Sequence, residues 1–224
     1  MKTKVFISRS LEDESPFRSA LHGYNVQIRD ELLIQFSPIA YNQPQSDWIF
    51  FYSRTGVKFF IENGGDLTEK KIGTFGPQTA LFFEHYTDIK PDFIGSGEKY
   101  DVTERLSQIL KKSSCLFVIG KNSLRSVQSI RNSSSDLEVI VYDNKPKEEF
   151  NIDPPDIAVF TSPMAARTYF KKYPKRNHSN LAIGQTTLTE LLKLNRINSV
   201  KSEKASEYSL AQKVIEKLNK VDET

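Results

Sequence analysis

Short apolar runs bounded by polar turns recur along the sequence. Two of them, Trp48–Phe51 and Ile157–Phe160, consist of aromatic and aliphatic residues and are too short to be helices. Such runs are typical of strands that are buried on both faces, as in a parallel sheet. Apolar residues at helical spacing follow each run. The pattern therefore predicts alternating strands and helices, and an α/β fold.

The segment 156–187 has a second copy that begins at Asp47. Both copies read as an apolar strand, a Ser, a helix, a polar gap, a second strand and a Gly-x-x-Thr turn. Equivalent positions stay 108 or 109 residues apart: Ser53 and Ser162, Gly76 and Gly184, Tyr100 and Tyr208. So small a drift over so long a span indicates an internal duplication.

Each copy places two polar turns between a strand and the start of a helix. Ser53 and Ser162 stand where the first strands end, and the second strands end in the turns 76–79 and 184–187. In parallel sheets, turns at the carboxyl ends of strands bind ligands, particularly anions. A single turn of this kind is often only a connection. Four in register favour a ligand site.

Two linker-like stretches indicate how the chain is divided. Residues 37–44 contain the turn-forming sequences Ser37-Pro38 and Asn42-Gln43-Pro44, and residues 143–155 are dense in Pro, Lys and Glu and show no periodicity. If the chain crosses between domains at both places, residues 1–36 and 146–224 form a discontinuous first domain, and 37–145 form the second. We expect two doubly wound α/β domains with parallel sheets, joined by two strands and facing each other across a cleft.

Composition narrows the function. The net charge of the 224 residues is only +3, and no basic stripe with interleaved aromatic residues is present, so nucleic-acid binding is disfavoured. Cys115, the single cysteine, excludes an internal disulfide, and its apolar surroundings favour a buried structural thiol over a catalytic one. His22, His85 and His178 do not have the spacing of metal ligands, so no metal is expected.

The sequence also lacks the signals of export. The first ten residues contain only three consecutive apolar positions, far short of the core of a signal peptide. No apolar run has the length of a membrane span. These features predict a soluble protein of the cytoplasm.

Three motifs together resemble the uroporphyrinogen-III synthase family. They are FTSP at 160–163, AIGQTT at 182–187 and the pair Val141-Tyr142 at the end of the middle domain. None is diagnostic alone, but their order and spacing are fairly specific, and the resemblance covers essentially the whole chain. It implies two doubly wound, flavodoxin-like domains joined by a two-stranded ladder, with the N-terminal strand in the C-terminal domain.

The resemblance also implies a reaction. The linear tetrapyrrole hydroxymethylbilane, which carries eight carboxylates, loses its terminal hydroxyl as water and closes to uroporphyrinogen III with the D ring inverted, through a spiro intermediate. No cofactor or metal takes part, and the enzyme is a cyclising hydro-lyase of haem biosynthesis. Catalysis then requires positioning of a flexible chain and one modest acid.

Tyr142 is the candidate acid, because it matches the tyrosine of the family at the end of the middle domain. A phenol with a pKa of about 10 is protonated at working pH and donates a hydrogen bond to a departing hydroxyl. In the alternative interpretation Tyr142 is a linker residue that only packs its ring.

The candidate substrate-binding residues occupy turns and strand ends. Hydroxyl and backbone N–H groups at the turns suit acetate and propionate arms, and cations beside them suit carboxylates. The candidates are Arg9, Ser53, Gly76, Thr79, Lys121, Arg125, Ser162, Gly184, Thr186 and Thr187. Each hydroxyl is equally well explained as a helix cap, and each cation as a solvated surface charge.

Arg54 and Gln185 depart from the family pattern, since a proline is common at these places, and they leave the turn geometry open. Two further functions remain open as well. Two α/β domains with a hinged cleft also suit a non-catalytic sensor or binding module for an anionic small molecule, or a relic of the synthase that binds tetrapyrrole without turnover. The duplication, which already pairs two similar halves within one chain, predicts a monomer.

Overall fold

The computed structural model describes residues 2–221. Residue 1 and residues 222–224, which the predicted first domain includes, lie outside the described part. Strands and helices alternate along most of the chain. In chain order they are β1 (Thr3–Ile7), α1 (Pro16–Ala20), β2 (Val26–Asp30), β3 (Ile34–Pro38), β4 (Trp48–Phe51), α2 (Arg54–Glu62), β5 (Lys71–Thr74), α3 (Pro77–Thr87), β6 (Phe93–Ile94), α4 (Lys99–Leu110), β7 (Cys115–Gly120), α5 (Ser126–Arg131), β8 (Asp136–Pro146), β9 (Ile157–Phe160), α6 (Pro163–Lys172), β10 (Ser179–Ala182), α7 (Gln185–Lys193), β11 (Ser199–Lys201) and α8 (Glu207–Val221).

The chain divides into two compact units. The central unit is Phe36–Asn144, and the terminal unit contains the chain up to Gln35 and again from Lys145. Strands β3 and β8 carry the chain between the units and are neighbours in one sheet. Their hydrogen bonds join Lys147 N–H to the Leu33 carbonyl and Ile39 N–H to the Val141 carbonyl, so the two strands run antiparallel.

The central unit is built on the sheet β3-β8-β7-β4-β5-β6, which is parallel from β8 to β6. All four residues of β4 are buried, as its unbroken apolar run predicts. On one face Phe51 packs against Phe60 of α2 and Phe83 of α3. On the other face Phe50 belongs to a core with Leu106 of α4. Both faces of the sheet are therefore covered by helices.

The terminal unit is built on a fully parallel sheet in the order β11-β10-β9-β1-β2. Val5 and Ile7 of β1 point into a core that includes Phe17 of α1 and residues of α8. Phe6, on the opposite face, stacks on Tyr169 of α6 with the ring centroids 5.4 Å apart. This unit too has helices on both faces of its sheet.

The two sheets repeat one strand order. The sequence of neighbours β11-β10-β9-β1-β2 corresponds to β6-β5-β4-β7-β8 when the two copies are aligned. The predicted fold class, two parallel α/β sheets related by duplication, is confirmed. Two details differ from the sequence interpretation. The short strands β6 and β11 were not predicted, and β8 continues to Pro146, into the predicted linker 143–155.

Candidate active site

Tyr142 lies at the carboxyl end of the central sheet, on β8. Its side chain is only 8% exposed. The ring stacks on Phe59 at a centroid distance of 5.4 Å and meets Phe36 edge-on at 5.7 Å. A Cβ added to Gly120 would lie 2.4 Å from the Tyr142 ring, so the end of β7 leaves room for the ring only because that residue is glycine. The ring is thus held in one place by its neighbours.

Two serines lie beside the Tyr142 hydroxyl. The side chains of Ser53 and Ser123 act to lower the pKa of the phenol, and we call these three residues the hydroxyl cluster. Ser53 Oγ accepts Gly56 N–H at 3.2 Å, and Ser123 Oγ accepts Gly120 N–H at 2.9 Å. Burial has the larger effect and raises the pKa of the Tyr142 phenol above 10. The phenol therefore keeps its proton at neutral pH.

The strand order places the hydroxyl cluster where a ligand site is expected. In the central sheet the order reverses between β4 and β7, and Ser53 and Ser123 follow these two strands. In the terminal sheet the reversal lies between β9 and β1. There Thr161 N–H and Oγ1 donate to Ser8 Oγ at 2.9 Å and to the Ser8 carbonyl at 3.1 Å. The central unit thus places a phenol at the point where the terminal unit places a Ser–Thr pair.

The three predicted substrate-binding cations have carboxylate partners of their own. Lys121 Nζ lies 3.6 Å from Asp143 Oδ2. Arg125 binds Glu138 through two contacts, Nε to Oε2 at 2.8 Å and Nη2 to Oε1 at 3.2 Å. Lys121 and Arg125 therefore lie beside acidic side chains of the central unit, and their role as substrate-binding residues stays a prediction.

Arg9 behaves in the same way in the terminal unit. It follows β1, as predicted, but its Nη1 lies 3.0 Å from Oε1 of Glu207, the first residue of α8. Both side chains are about one-fifth exposed, at 24% and 18%. The ion pair therefore ties the end of β1 to the start of α8, and a substrate carboxylate would have to compete with Glu207.

Arg54 is a cation that sequence reasoning had not assigned to substrate. It is exposed at the first position of α2, directly after Ser53. In the part of the chain that the structure describes, its side chain takes part in no hydrogen bond or ion pair. A cation at a helix N-terminus is unfavourable, and the first turn of α2 has no acidic residue to offset it. The signal was present in the sequence, since the equivalent residue of the other copy is Pro163.

The predicted turn residues of the central unit lie together at the sheet edge. Ser53 caps α2 in extended geometry, so the turn is formed although Arg54 stands where a proline is common in the family. Gly76 precedes α3, and a Cβ there would come within 3.4 Å of the Gly97 backbone. Thr79, in the first turn of α3, is only 7% exposed. Its position favours packing within the unit over contact with a ligand.

The terminal unit repeats these turns. Ser162 caps α6 by accepting Ala165 N–H at 3.1 Å. Gly184 precedes α7 in extended geometry with Gln185 after it, and open space lies where its Cβ would be. Thr187 is only 1% exposed, whereas Thr186 is exposed to solvent. Of the predicted threonines, Thr186 is therefore the one that presents its hydroxyl.

Cys115, which was expected to be a structural thiol, is fully buried in β7, and burial raises the pKa of its thiol. His178 is partly buried, and this burial lowers its pKa to about 4, so the ring is neutral at pH 7. Within residues 2–221, no three His, Cys, Asp or Glu side chains group as metal ligands would. None of the described helices is long and apolar enough to cross a membrane.

Comparisons with known proteins agree with this architecture. Residues 26–212 match the family model described as Uroporphyrinogen-III synthase HemD. The chain is similar to the uroporphyrinogen-III synthetase of Helicobacter pylori, with a TM-score of 0.69 and 18% identity over 97% of this chain and 100% of that one. It is also similar to a mutant uroporphyrinogen III synthase of the extremely thermophilic bacterium Thermus thermophilus, with a TM-score of 0.59 and 15% identity over 97% and 99% of the two chains. No curated protein matches the sequence significantly.

Proposed function

The chain belongs to the uroporphyrinogen-III synthase family, whose model matches most of its length, and we propose that it closes its substrate with one acid, Tyr142, and without a cofactor. As a member of this family it is an enzyme of haem biosynthesis. It converts the linear tetrapyrrole hydroxymethylbilane to uroporphyrinogen III, with inversion of the D ring and loss of water.

The observation that supports the acid is the buried, protonated hydroxyl of Tyr142. The phenol donates a hydrogen bond, and then its proton, to the terminal hydroxyl of the substrate as the C–O bond breaks. The oxygen leaves as water, and the pyrroles of the substrate stabilise the resulting cation. Ser53 and Ser123, whose side chains act to lower the pKa of the phenol, stabilise the phenolate that forms.

The later steps restore the acid without any other reagent. The cation forms a C–C bond to the substituted carbon of the D ring and gives the spiro intermediate. This intermediate rearranges to the inverted macrocycle and releases a proton from a pyrrole carbon. That proton restores the phenol, so the reaction balances as loss of one water with no oxidant or reductant. On this basis we classify the enzyme as a cofactor-independent cyclising lyase.

We assign binding of the carboxylates to solvent-accessible groups at the two sheet edges. In the central unit these are Arg54 and the backbone at Gly76. In the terminal unit they are Thr186 and the backbone at Gly184. Arg9, Lys121 and Arg125 remain in the proposal as further binding groups. Each of them binds a substrate carboxylate only when that carboxylate displaces the acidic side chain with which the cation is paired. Many weak contacts of this kind with the substrate suit catalysis by positioning.

We further propose that the enzyme acts as a monomer in the cytoplasm. Each unit repeats the same strand order, so a pair of similar halves is supplied by one chain. Size-exclusion chromatography at micromolar concentration, with the mass of the eluted protein measured by light scattering, tests this proposal. A mass equal to that of two chains would contradict it.

The function is tested in an assay that generates hydroxymethylbilane in situ and separates the oxidised porphyrin isomers I and III. We expect the type III isomer to dominate with the enzyme, and type I without it. If the type I isomer alone appears with the enzyme, the synthase assignment fails, and a binding module for an anionic small molecule becomes the function to pursue.

The same assay tests the acid. Tyr142→Phe should lower kcat about 10- to 100-fold, at or below the lower end of what a general acid usually contributes, because the substrate is intrinsically reactive. KM should change little, and the residual product should still be type III. Tyr86→Phe is the control, since its hydroxyl in the same unit binds Glu62 at 3.0 Å. An unchanged kcat for Tyr142→Phe would remove the residue from the mechanism.

A further inference from the structure

A cavity of about 620 Å³ lies in the terminal unit, beside helix α6. One wall is the segment 146–150. The other is the face of α6 that carries Met164, Arg167, Thr168 and Lys171, which follow each other at helical spacing. We call this cavity the α6 groove. Its volume lies within the usual range of small-molecule sites, about 300–1,000 Å³.

Contacts between α6 and the segment that follows residue 149 fix the walls of the α6 groove. Phe150 and Ile152 are buried, at 7% and 1% exposed. The Tyr173 hydroxyl accepts Ile152 N–H at 3.0 Å, and Lys172 Nζ binds the Phe150 carbonyl. The sequence predicts a loose linker for the segment 146–150. Its continuation is anchored to α6 instead, so this wall of the groove is fixed by contacts within the terminal unit.

The lining of the groove is positively charged. Four cations and one carboxylate, Glu148, line it. Two of the cations are paired outwards, Lys147 with Glu31 and Arg167 with Glu190, each at 2.9 Å. The other two have no carboxylate partner in the described part of the chain. Lys171 is exposed, and within residues 2–221 the contacts of Lys172 are with the neutral Phe150 carbonyl and the rings of Phe150 and Tyr173.

Apolar side chains also line the groove, namely Met164 and the largely buried Phe150. Cations beside apolar walls fit a ligand that has carboxylates on a flat, apolar body. The groove begins near Ser162, at the carboxyl edge of the sheet, since Met164 is in the first turn of α6. Lys171 lies seven residues further along α6, a distance of about 10 Å at the rise of a helix. A chain of linked rings bound at the edge could therefore continue into the groove.

We propose that the α6 groove binds the carboxylate arms of a pyrrole ring of the linear tetrapyrrole that does not take part in ring closure. The inference rests on the proposed function, because it takes its ligand from that reaction. Holding a distant ring limits the conformations of a flexible chain and so favours the inverted closure over the direct one. Lys171 is then a substrate-binding residue and not a solvated charge.

The test reverses the charge of Lys171. Lys171→Glu should raise KM for hydroxymethylbilane about tenfold, as expected for loss of a charge-assisted contact, and should lower the proportion of type III product. Lys171→Ala should raise KM by a smaller factor, with the same trend. Lys175→Glu is the matched control, an exposed lysine of the same unit that does not line the groove. Its KM should stay within about twofold of wild type, as for most surface charges.

If Lys171→Glu and Lys175→Glu change KM equally, the groove does not bind substrate and the inference is overturned. The wild-type isomer ratio decides the proposed function separately. If the wild type yields only the type I isomer, the inference is tested by a binding experiment instead. Porphobilinogen, a single pyrrole with acetate and propionate arms, is added to the protein, and the changes in the NMR chemical shifts of the protein are recorded. Shifts confined to α6 and residues 146–150, and lost in Lys171→Glu, would support the groove, and their absence would overturn it.

Discussion

At the scale of single residues, the site is governed by which charges and hydroxyls already have partners. The Tyr142 hydroxyl lies beside two serines, and Arg9, Lys121 and Arg125 each form an ion pair with an acidic side chain. These partnerships join residues that are far apart in the sequence, such as Arg9 and Glu207. Periodicity places each residue at a strand end but carries no information about its partner.

Arg54 gives the first residue-scale prediction. Arg54→Ala should raise KM about three- to tenfold, because a carboxylate of the substrate loses a charge-assisted contact, while kcat stays within about twofold. The free energy of unfolding should not fall, since a cation is removed from the N-terminus of α2. Lys58→Ala is the control on the same helix, where Lys58 already lies 3.9 Å from Glu62. An unchanged KM for Arg54→Ala would leave the residue as a surface charge.

At the scale of elements, strand ends were the features that the sequence predicted well. Buried parallel strands have unbroken apolar runs, and the second copy repeated each turn, so Ser53, Gly76, Ser162 and Gly184 all precede helices as expected. Strands β6 and β11 were missed because two or three residues show no period. The segment after β8 resembles a linker in sequence because most of its residues are polar or proline. Its two apolar residues, Phe150 and Ile152, show no periodicity, yet they anchor the segment.

The contacts around α6 and β10 make one prediction for pH. The His178 ring is stacked on Phe170 at 5.7 Å and shares a 3.1 Å hydrogen bond with the Tyr169 hydroxyl. Burial lowers its pKa from 6.5 to about 4. Between these values the unfolded chain binds a proton at His178 and the folded chain does not, so the contribution of this residue to stability falls as pH decreases from 6.5 towards 4.

Urea unfolding at pH 7, 5.5 and 4.5 tests this element. The midpoint for wild type should decrease towards acid pH, and the decrease should be smaller in His178→Gln, which has no proton to gain. His85→Gln, at an exposed position of α3, should retain the wild-type slope. Equal slopes for all three proteins would mean that His178 does not couple folding to pH.

At the scale of the whole molecule, duplication explains both the repeated strand order and the single acid. Each unit has its own core: the clusters around Phe51 and Phe50 contain only central-unit residues, and the cluster around Ile7 contains only terminal-unit residues. Because the two copies fold on separate cores, each can vary its sheet edge. The central unit acquired Tyr142 opposite Gly120, whereas Ser8 is the residue of the terminal unit equivalent to Gly120.

Separate cores predict that residues 36–144 fold without the rest of the chain. The segment is continuous, has the usual size of a domain, and contains both clusters that cover its sheet. Its single cysteine, Cys115, is fully buried in β7 and reports on folding. A thiol reagent should modify the isolated segment far more slowly in buffer than in guanidinium chloride, because burial also raises the pKa of the thiol. Phe51→Ala should remove this protection by leaving a cavity that costs about 3–5 kcal/mol. If the unmutated segment reacts as fast in buffer as in denaturant, the central unit depends on the terminal one, and the two copies are a single folding unit in spite of their separate cores.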